Sequence, residues 1–408
     1  MTPLPVAHSF GVWLPPTMTW AYNQIRYLPD AAPVVLAVEL RDDADQFPWE
    51  PTYSAGRFEH RLIVAARRRG LPLYPRSYRE AFRRHRPRVL HSHFGYQGWY
   101  DLTLAARHRA AHVVTFYGHD VKMYPTTWPV WYDRYRRLFA AADLVLCEGP
   151  FMRRSIVELG CPGAKTRVQR LGVETERIEF VARRPRPDGS ARILIAGAFR
   201  EKKGIPLALE AVARVRERYP RVQVTVIGDS NGSVAEAAEK RRIAAVVADR
   251  GLADVVTLCG FVPYERFVAA AREHDIFLSP SITARDGDCE GGAPVSIIEM
   301  AAGGMPVVAS DHCDIPQVVD DGLSGLLAPE GDLDGLVERL AEVVGHPERW
   351  EAMGRAGRDL VVERFDVGVC AVHLRALYDE LLGGRPAPDR IVACAPAAPS
   401  TRKGLSEP

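Results

Sequence analysis

Short apolar runs rich in β-branched residues alternate with amphipathic stretches along most of this 408-residue chain. The runs lie at 34–38, 89–91, 112–116 and 144–146 in the first half, and at 193–197, 222–228, 255–258, 276–278, 307–309 and 325–327 in the second half. Strands that alternate with helices favour parallel pairing, because each helix returns the chain to the edge where the preceding strand began. The pattern therefore predicts an α/β fold with doubly wound parallel sheets.

One charged stretch rich in proline and glycine, at 183–190, interrupts this alternation. Proline cannot continue a helix or a central strand, and domain boundaries fall in stretches of this kind. A chain of this length also exceeds what one hydrophobic core usually organises. We therefore predict two Rossmann-like domains facing a central cleft, at 1–185 and 190–365. A helix at 366–384 is expected to cross back to the first domain, and a disordered tail is expected at 385–408.

Composition narrows the class of protein. Hydrophobic residues make up 47% and charged residues 25% of a chain whose net charge is only +2, which suits a globular enzyme and argues against a nucleic-acid partner. The seven cysteines form no Cys-x-x-Cys pair, so we expect reduced thiols. Residues 1–16 lack the pattern of a signal peptide, and no apolar run reaches about 18 residues. A cytoplasmic protein is expected.

Arginines crowd one short stretch of the first half despite the low net charge. They are Arg67, Arg68, Arg69, Arg76, Arg79, Arg83, Arg84, Arg86 and Arg88. Two interpretations are open. The stretch is either a solvated helical face or a basic surface that attracts anionic lipid, which would place the protein peripherally on the inner face of the cell membrane.

The segment 286–299 places two glutamates on either side of a glycine pair that opens a predicted helix. Gly291 and Gly292 lack side chains, which lets backbone N–H groups approach a ligand, and the helix directs its positive dipole end at the same place. Glu299 falls inside the helix among apolar residues, where a carboxylate needs hydrogen-bond donors such as a ribose diol. With Glu290 ahead of the glycines, the segment predicts a nucleoside diphosphate sugar site.

Three further glycine turns each follow a predicted strand of the second half. They lie at 197–204, 228–230 and 259–262. Ligands of doubly wound sheets bind at the carboxyl ends of the strands, so we expect these turns to line the same cleft. Arg200, Lys202 and Lys203 carry positive charge beside the first turn, where a diphosphate needs compensation.

These motifs resemble those of the family 4 glycosyltransferases of the GT-B fold. The turn at Lys203-Gly204 and the glutamate-rich loop resemble the family's donor site. In the first domain, the segments 90–95, 115–120 and 170–174 resemble those of exopolysaccharide enzymes of the colanic-acid and amylovoran type. The resemblance spans nearly the whole chain.

The resemblance implies retaining hexosyl transfer from a nucleoside diphosphate sugar to a glycan or lipid-linked acceptor in surface polysaccharide synthesis, with no metal or other cofactor. It implies catalytic roles for Glu290, Lys203 and His119. The implied donor-binding residues are Arg200, Lys203, Gly228, Phe261, Glu290, Gly291, Gly292, Ala293, Pro294, Val295 and Glu299. The implied acceptor-side residues are His93, Gly95, Tyr117, His119 and Asp120.

The chain departs from the family's pattern in three places. Eight residues separate the two glutamates of the donor loop, where seven are usual. Ala198 stands where an arginine is usual, with Arg200 nearby as a replacement. Tyr117 stands where a histidine is usual, with His119 two residues further on. Both Tyr117 and His119 are candidates for contact with the reacting sugar.

Metal sites are a weaker interpretation of two residue pairs. Asp286 and Asp288 lie on a polar loop, where aspartates commonly bond their own backbone. His91 and His93 share one face of a strand, but we expect no third ligand nearby, so packing and hydrogen bonding are favoured. A dinucleotide dehydrogenase is excluded because no Gly-x-Gly-x-x-Gly run opens either domain. A catalytically silent nucleotide-sugar-binding protein and a GT-B sugar epimerase are the alternatives to a transferase.

Overall fold

The computed structural model describes residues 2–15, 18–41 and 46–385. The strands are β1 (Leu4–Trp13), β2 (Ala31–Leu40), β3 (Thr52–Ser54), β4 (Val89–His93), β5 (Ala111–Thr115), β6 (Leu144–Cys147), β7 (Thr166–Val168), β8 (Ala191–Ala196), β9 (Val222–Ile227), β10 (Val256–Leu258), β11 (Ile276–Ser279), β12 (Val307–Asp311) and β13 (Gly325–Pro329). The helices are α1 (Thr19–Arg26), α2 (Arg57–Arg68), α3 (Arg76–His85), α4 (Gly95–His108), α5 (Met123–Thr127), α6 (Val130–Ala141), α7 (Pro150–Glu158), α8 (Ile205–Arg218), α9 (Val234–Asp249), α10 (Tyr264–Glu273), α11 (Val295–Ala302), α12 (Leu333–Gly345), α13 (Trp350–Arg364) and α14 (Val367–Leu381).

The strands form two separate parallel sheets. The first has the order β3-β2-β1-β4-β5-β6-β7, and the second has the order β10-β9-β8-β11-β12-β13. In both sheets the order reverses beside the first strand of the domain, which is the doubly wound arrangement that the alternating pattern predicted. The α/β, two-domain prediction is confirmed.

Burial on both faces explains why the central strands read as apolar runs. Every residue of β6 and of β11 is buried, because helices cover both sides of a parallel sheet. On the second sheet, α8 contributes Leu209, Val212 and Val215 to the core. Each such side chain stabilises the fold by about 1.5–3 kcal/mol on burial.

The apolar pattern did not reveal β1, β3 or β7. Strand β1 is long and central, yet His8 and Ser9 in its middle are buried and polar. Strands β3 and β7 have only three residues each. Interior polar residues that find hydrogen-bond partners therefore hid the central strand of the first domain.

The segment 183–190 carries no helix or strand. Arg183 is buried and anchors the segment to the second domain, because its guanidinium donates to the carbonyls of His274 at 2.9 Å and Gly303 at 3.0 Å. Helix α14 packs on the first sheet, where Leu374 and Tyr378 join the core of its strands. The tail expected at 385–408 lies outside the described residues except for its first residue. No helix within the described ranges combines the length and apolar character needed to cross a bilayer.

Candidate active site between the two domains

The donor loop, residues 280–294, runs from the end of β11 into α11. Its last residues, Ala293 and Pro294, lead directly to Val295, the first residue of the helix. No side chain from the described ranges caps this helix end. Its first N–H groups and the positive end of its dipole are therefore available to an anion.

The side chain of Glu290 is buried beside two lysines that follow β8. Lys203 Nζ lies 2.9 Å from Glu290 Oε1 and 3.0 Å from Oε2, and Ser281 Oγ donates to Oε1 at 2.7 Å. Burial raises the pKa of Glu290, but the charges of Lys203 and Lys202 lower it more, to about 2. Glu290 is therefore a carboxylate throughout the physiological range.

The neighbouring cations are engaged by Asp288. Arg200 Nη2 lies 2.6 Å from Asp288 Oδ2, and Lys202 Nζ lies 3.3 Å from Oδ1 while donating to the Cys289 carbonyl at 2.9 Å. Asp286 accepts from the Asp288 N–H at 2.9 Å, the local contact expected for aspartates on a polar loop. Arg200, assigned to the diphosphate by the resemblance, thus holds the loop in this conformation.

Glu299 is buried within α11, and the Tyr264 hydroxyl donates to its Oε1 at 2.9 Å. Burial raises the pKa of Glu299 to about 7.

Gly228 lies on the neighbouring turn, where a Cβ atom would be 1.9 Å from the Gly197 carbonyl oxygen, so only glycine fits. Phe261 is 58% exposed on the next turn.

The glycine pair faces the first domain. A Cβ atom on Gly291 would lie 2.4 Å from Gly118 Cα, and one on Gly292 would lie 1.8 Å from Glu148 Oε2. The Gly292 N–H donates to the Glu290 carbonyl at 3.0 Å. The two glycines were expected to leave room for a ligand. In the structure, the first domain fills the space beside their Cα atoms.

The acceptor-side residues form a tight group at the carboxyl ends of β4 and β5. Asp120 is buried and accepts from the N–H groups of Gly95 at 2.7 Å and Tyr117 at 2.9 Å. Burial raises the pKa of Asp120 to about 7. His93 Nδ1 shares a hydrogen bond of 2.6 Å with the Tyr117 hydroxyl. Asp120 therefore fixes the loop, and Tyr117 is held by His93.

His119 differs from Tyr117. Its imidazole has no hydrogen-bond partner among residues 2–15, 18–41 and 46–385, and its ring lies 5.2 Å from that of Phe94. Burial and the charges of Lys202 and Arg200 in the second domain lower the pKa of His119 to about 3. His119 is therefore a neutral imidazole close to the donor-side cations.

Two family models together match most of the chain. Residues 19–177 match the model described as "Glycosyltransferase Family 4", and residues 176–360 match the model described as "Glycosyl transferases group 1". Between them, these two glycosyltransferase models cover residues 19–360 of the chain. The resemblance found from the motifs is confirmed.

Curated relatives point to the same family. The chain is 36% identical over 254 residues to the amylovoran biosynthesis glycosyltransferase AmsK of Erwinia amylovora, with 61% of this chain and 59% of the relative aligned. It is 34% identical over 235 residues to the putative colanic acid biosynthesis glycosyltransferase WcaL of Salmonella typhimurium, with 57% and 55% aligned. The matched part thus spans somewhat more than half the length of these relatives.

Solved structures agree on the fold. The chain resembles sucrose-phosphate synthase from Thermosynechococcus elongatus with a TM-score of 0.74 at 19% identity, over 93% of this chain and 99% of the other. It resembles Anabaena HepE in complex with UDP and glucose with a TM-score of 0.70 at 16% identity, over the same shares. The GT-B fold predicted from the resemblance is confirmed.

The prediction that no third candidate ligand lies near His91 and His93 is wrong. Strand β1 pairs with β4 and places His8 opposite His91, so that one nitrogen from each of the three buried rings lies within 4.8 Å of the other two. His91 bonds the Tyr378 hydroxyl through Nδ1 and Thr115 through Nε2, each at 2.6 Å. His93 Nε2 lies 3.1 Å from His8 Nδ1. A metal would have to disrupt this network, so it is better explained as interior hydrogen bonding.

Sequence reasoning missed three residues of the cleft. Glu148 follows β6 and faces the donor loop, and Tyr264 bonds Glu299. Asp314 accepts from the N–H groups of Phe151 at 2.8 Å and Met152 at 3.3 Å, and so binds the first turn of α7 from the other domain. Position at a strand end was the available signal for Glu148. The other two act through partners distant in sequence.

Proposed function

We propose that the protein transfers a hexose, with retention of configuration and without a metal ion, from a nucleoside diphosphate sugar to a glycan or lipid-linked acceptor in exopolysaccharide synthesis. The observation that carries the proposal is the ion pair of Lys203 with Glu290 on the loop that leads into the uncapped end of α11, the helix that carries Glu299. The relatives named for amylovoran and colanic acid synthesis support the choice of product.

The donor's diphosphate fits the α11 end, where helix N–H groups and Lys203 supply positive charge without a metal. Negative charge grows on the leaving oxygen as the glycosidic bond breaks, so fixed donors stabilise the transition state more than the bound substrate. The ionised Glu290, next to Lys203, stabilises positive charge at the anomeric carbon. In the retaining mechanism proposed, the acceptor hydroxyl attacks from the leaving group's own face and passes its proton to a phosphate oxygen.

The ribose fits Glu299, whose Oε2 has no hydrogen bond within the part of the chain that the structure describes. A diol donates two hydrogen bonds to one carboxylate, which offsets the cost of burying its charge.

Between the two candidates for contact with the reacting sugar, we favour His119. The Tyr117 hydroxyl is occupied by His93, whereas the His119 imidazole has no hydrogen-bond partner in the described part of the chain and lies near Lys202 and Arg200. A neutral imidazole can both donate to and accept from a sugar hydroxyl.

The test is incubation with nucleotide sugars that carry a labelled hexose, with and without a glycan acceptor. We expect nucleoside diphosphate to be released together with labelled glycan. Binding of the nucleoside diphosphate with no turnover would instead identify a silent binding protein, and an altered donor sugar recovered without transfer would identify an epimerase.

We also propose that α2 and the segment that follows it bind an anionic membrane surface. Phe58 is 76% and Leu62 is 53% exposed on α2, beside exposed Arg68 and Arg69. Apolar side chains flanked by arginines suit the boundary between headgroups and acyl chains. Arg67 is not part of this surface, because it stacks 4.1 Å from the Tyr100 ring centre.

A further inference from the structure

Glu148 lies at the carboxyl end of β6, on the wall of the cleft formed by the first domain. A Cβ atom built on Gly292 would lie 1.8 Å from Glu148 Oε2 and 2.7 Å from Glu148 Cβ. The carboxyl group is therefore in contact with the donor-loop backbone two residues beyond Glu290. Glu148 is thus the side chain with which the first domain contacts the donor loop at Gly292. The residue is only partly exposed.

The carboxyl group of Glu148 lacks a partner among the residues that the structure describes. No hydrogen bond or ion pair within the described ranges involves the Glu148 side chain. A partly buried polar group at the edge of a cleft normally has a hydrogen-bond partner. A ligand that enters the cleft can supply the missing hydrogen bond.

The surroundings of Glu148 select the chemistry of that ligand. Burial and the carboxylates of Asp314, Asp120 and Glu290 raise the pKa of Glu148 well above its ordinary value, although Lys202 opposes them. With acidic groups around it and a strong tendency to keep its proton, Glu148 suits a neutral polar ligand better than a diphosphate, which is assigned to the α11 end. A neutral carboxyl both donates and accepts hydrogen bonds, as a sugar hydroxyl does.

We propose that Glu148 binds a hydroxyl of the sugar that is transferred. The proposal rests on the proposed function, since it places the diphosphate at the α11 end and the hexose beyond it, between the donor loop and the first domain. Glu148 then acts from the wall opposite to Glu290, and the two carboxyl groups hold the hexose from different domains.

The experiment separates the sugar's contribution to binding from that of the nucleotide. Dissociation constants are measured by calorimetry for UDP, GDP, ADP and dTDP, and for UDP-glucose, GDP-mannose, ADP-glucose and dTDP-glucose. The proteins are the parent, Glu148→Ala, Glu148→Gln and the matched control Glu158→Gln. Glu158 lies on α7, and its side chain is 70% exposed.

We expect Glu148→Ala to weaken the nucleotide sugar about tenfold relative to its nucleoside diphosphate, the equivalent of one hydrogen bond. Glu148→Gln keeps a donor and an acceptor and should retain most of the parent's ratio. Glu158→Gln should match the parent.

Two results would overturn the inference while leaving the proposed function intact. The first is a Glu148→Ala protein with the parent's ratio of the two constants. The second is an equal loss of both ligands, which would make Glu148 a support of the loop only. If the parent binds none of the eight ligands, the proposed function fails and the assignment of Glu148 falls with it.

Discussion

The two walls of the cleft use their titratable groups in opposite ways. On the second domain, the groups around the donor loop are charged and closely paired, as in Glu290 with Lys203 and Asp288 with Arg200, and Glu299 inside α11 is the exception. On the first domain they are driven toward the neutral form, because burial lowers the pKa of His119 to about 3 and raises that of Asp120 to about 7. A charged wall suits a diphosphate that gains negative charge, and a neutral polar wall suits sugar hydroxyls. The difference supports the proposal that the second domain holds the leaving group, while the hexose contacts both walls.

The largest effect is expected from the charged wall, at Lys203. Lys203→Met removes the cation beside the departing oxygen and should lower kcat by about 10²–10³-fold. The exposed pair of Arg214 with Asp334 on the same domain gives the control Arg214→Met, which should leave kcat unchanged. The measurement is turnover at saturating donor.

Stability has to be separated from catalysis in this test, because Lys203→Met leaves the buried Glu290 charge without its partner. The double variant Lys203→Met/Glu290→Gln removes both charges and should recover stability but not turnover. A double variant with near-parental kcat would show that the charged wall does not serve the leaving group.

Glu299→Gln tests the ribose site on the same wall. Loss of the charged hydrogen bonds should weaken nucleoside diphosphate binding by about 1.5–3 kcal/mol, roughly tenfold to a hundredfold. Glu338→Gln on the exposed side of α12 is the matched control. Unchanged affinity in Glu299→Gln, measured by calorimetry, would remove Glu299 from the donor site.

Glu299 should also make the free energy of unfolding depend on pH. Its pKa is raised from 4.5 to about 7 by burial, so the folded state keeps a proton that the unfolded state has lost. The stability from this proton is fully present below about pH 4.5 and is lost as the pH rises through about 7. Urea unfolding should therefore show the parent losing stability relative to Glu299→Gln from pH 5 to pH 8. Parallel curves would mean that Glu299 is ionised in the folded protein.

The contact between the two walls can be tested at Gly292. The Cβ atom of Gly292→Ala overlaps the Glu148 carboxyl group, and overpacking of this kind costs about 1–3 kcal/mol. The substitution should raise the donor KM, and it should do so less in a Glu148→Ala background. Gly163→Ala is the control, since a Cβ atom there meets nothing within 4 Å. Equal effects in both backgrounds would show that the walls do not touch at this point.

The two walls also differ in how far the sequence predicts them. The signals of the donor loop are contiguous, because Glu290, the glycine pair and Glu299 all fall on one loop and its helix. The first domain's wall is assembled by strand pairing, which brings His8 to His91 from 83 positions away in the chain. Local sequence patterns do not show which residues pair across two strands. The buried polar residues of β1 also concealed that strand in the apolar pattern. Every apolar run that was interpreted as a strand is one in the structure.

Contacts between the two domains could not be predicted from local sequence patterns for the same reason. Glu148 meets Gly292, and Asp314 binds the first turn of α7, only after both domains have folded. The basic stretch shows a related limit, because Arg67 is withdrawn from the surface by Tyr100 and by Gln97, whose Oε1 accepts from it at 3.1 Å.

The smallest effect per residue is expected outside the cleft, at the membrane surface proposed for α2. Each arginine near an anionic bilayer gains about 1 kcal/mol, so replacing Arg68, Arg69, Arg83 and Arg84 by Gln should release most of the protein from vesicles that contain phosphatidylserine. Arg67 is left intact because it packs in the interior. The control replaces four arginines of the second domain that are exposed and ion-paired, Arg214, Arg250, Arg272 and Arg355. Sedimentation with neutral and with anionic vesicles, at low and at high salt, measures the bound fraction. If the two quadruple variants bind alike, the arginines form a solvated face, and the neutral wall of the cleft then serves a glycan acceptor that is free in solution.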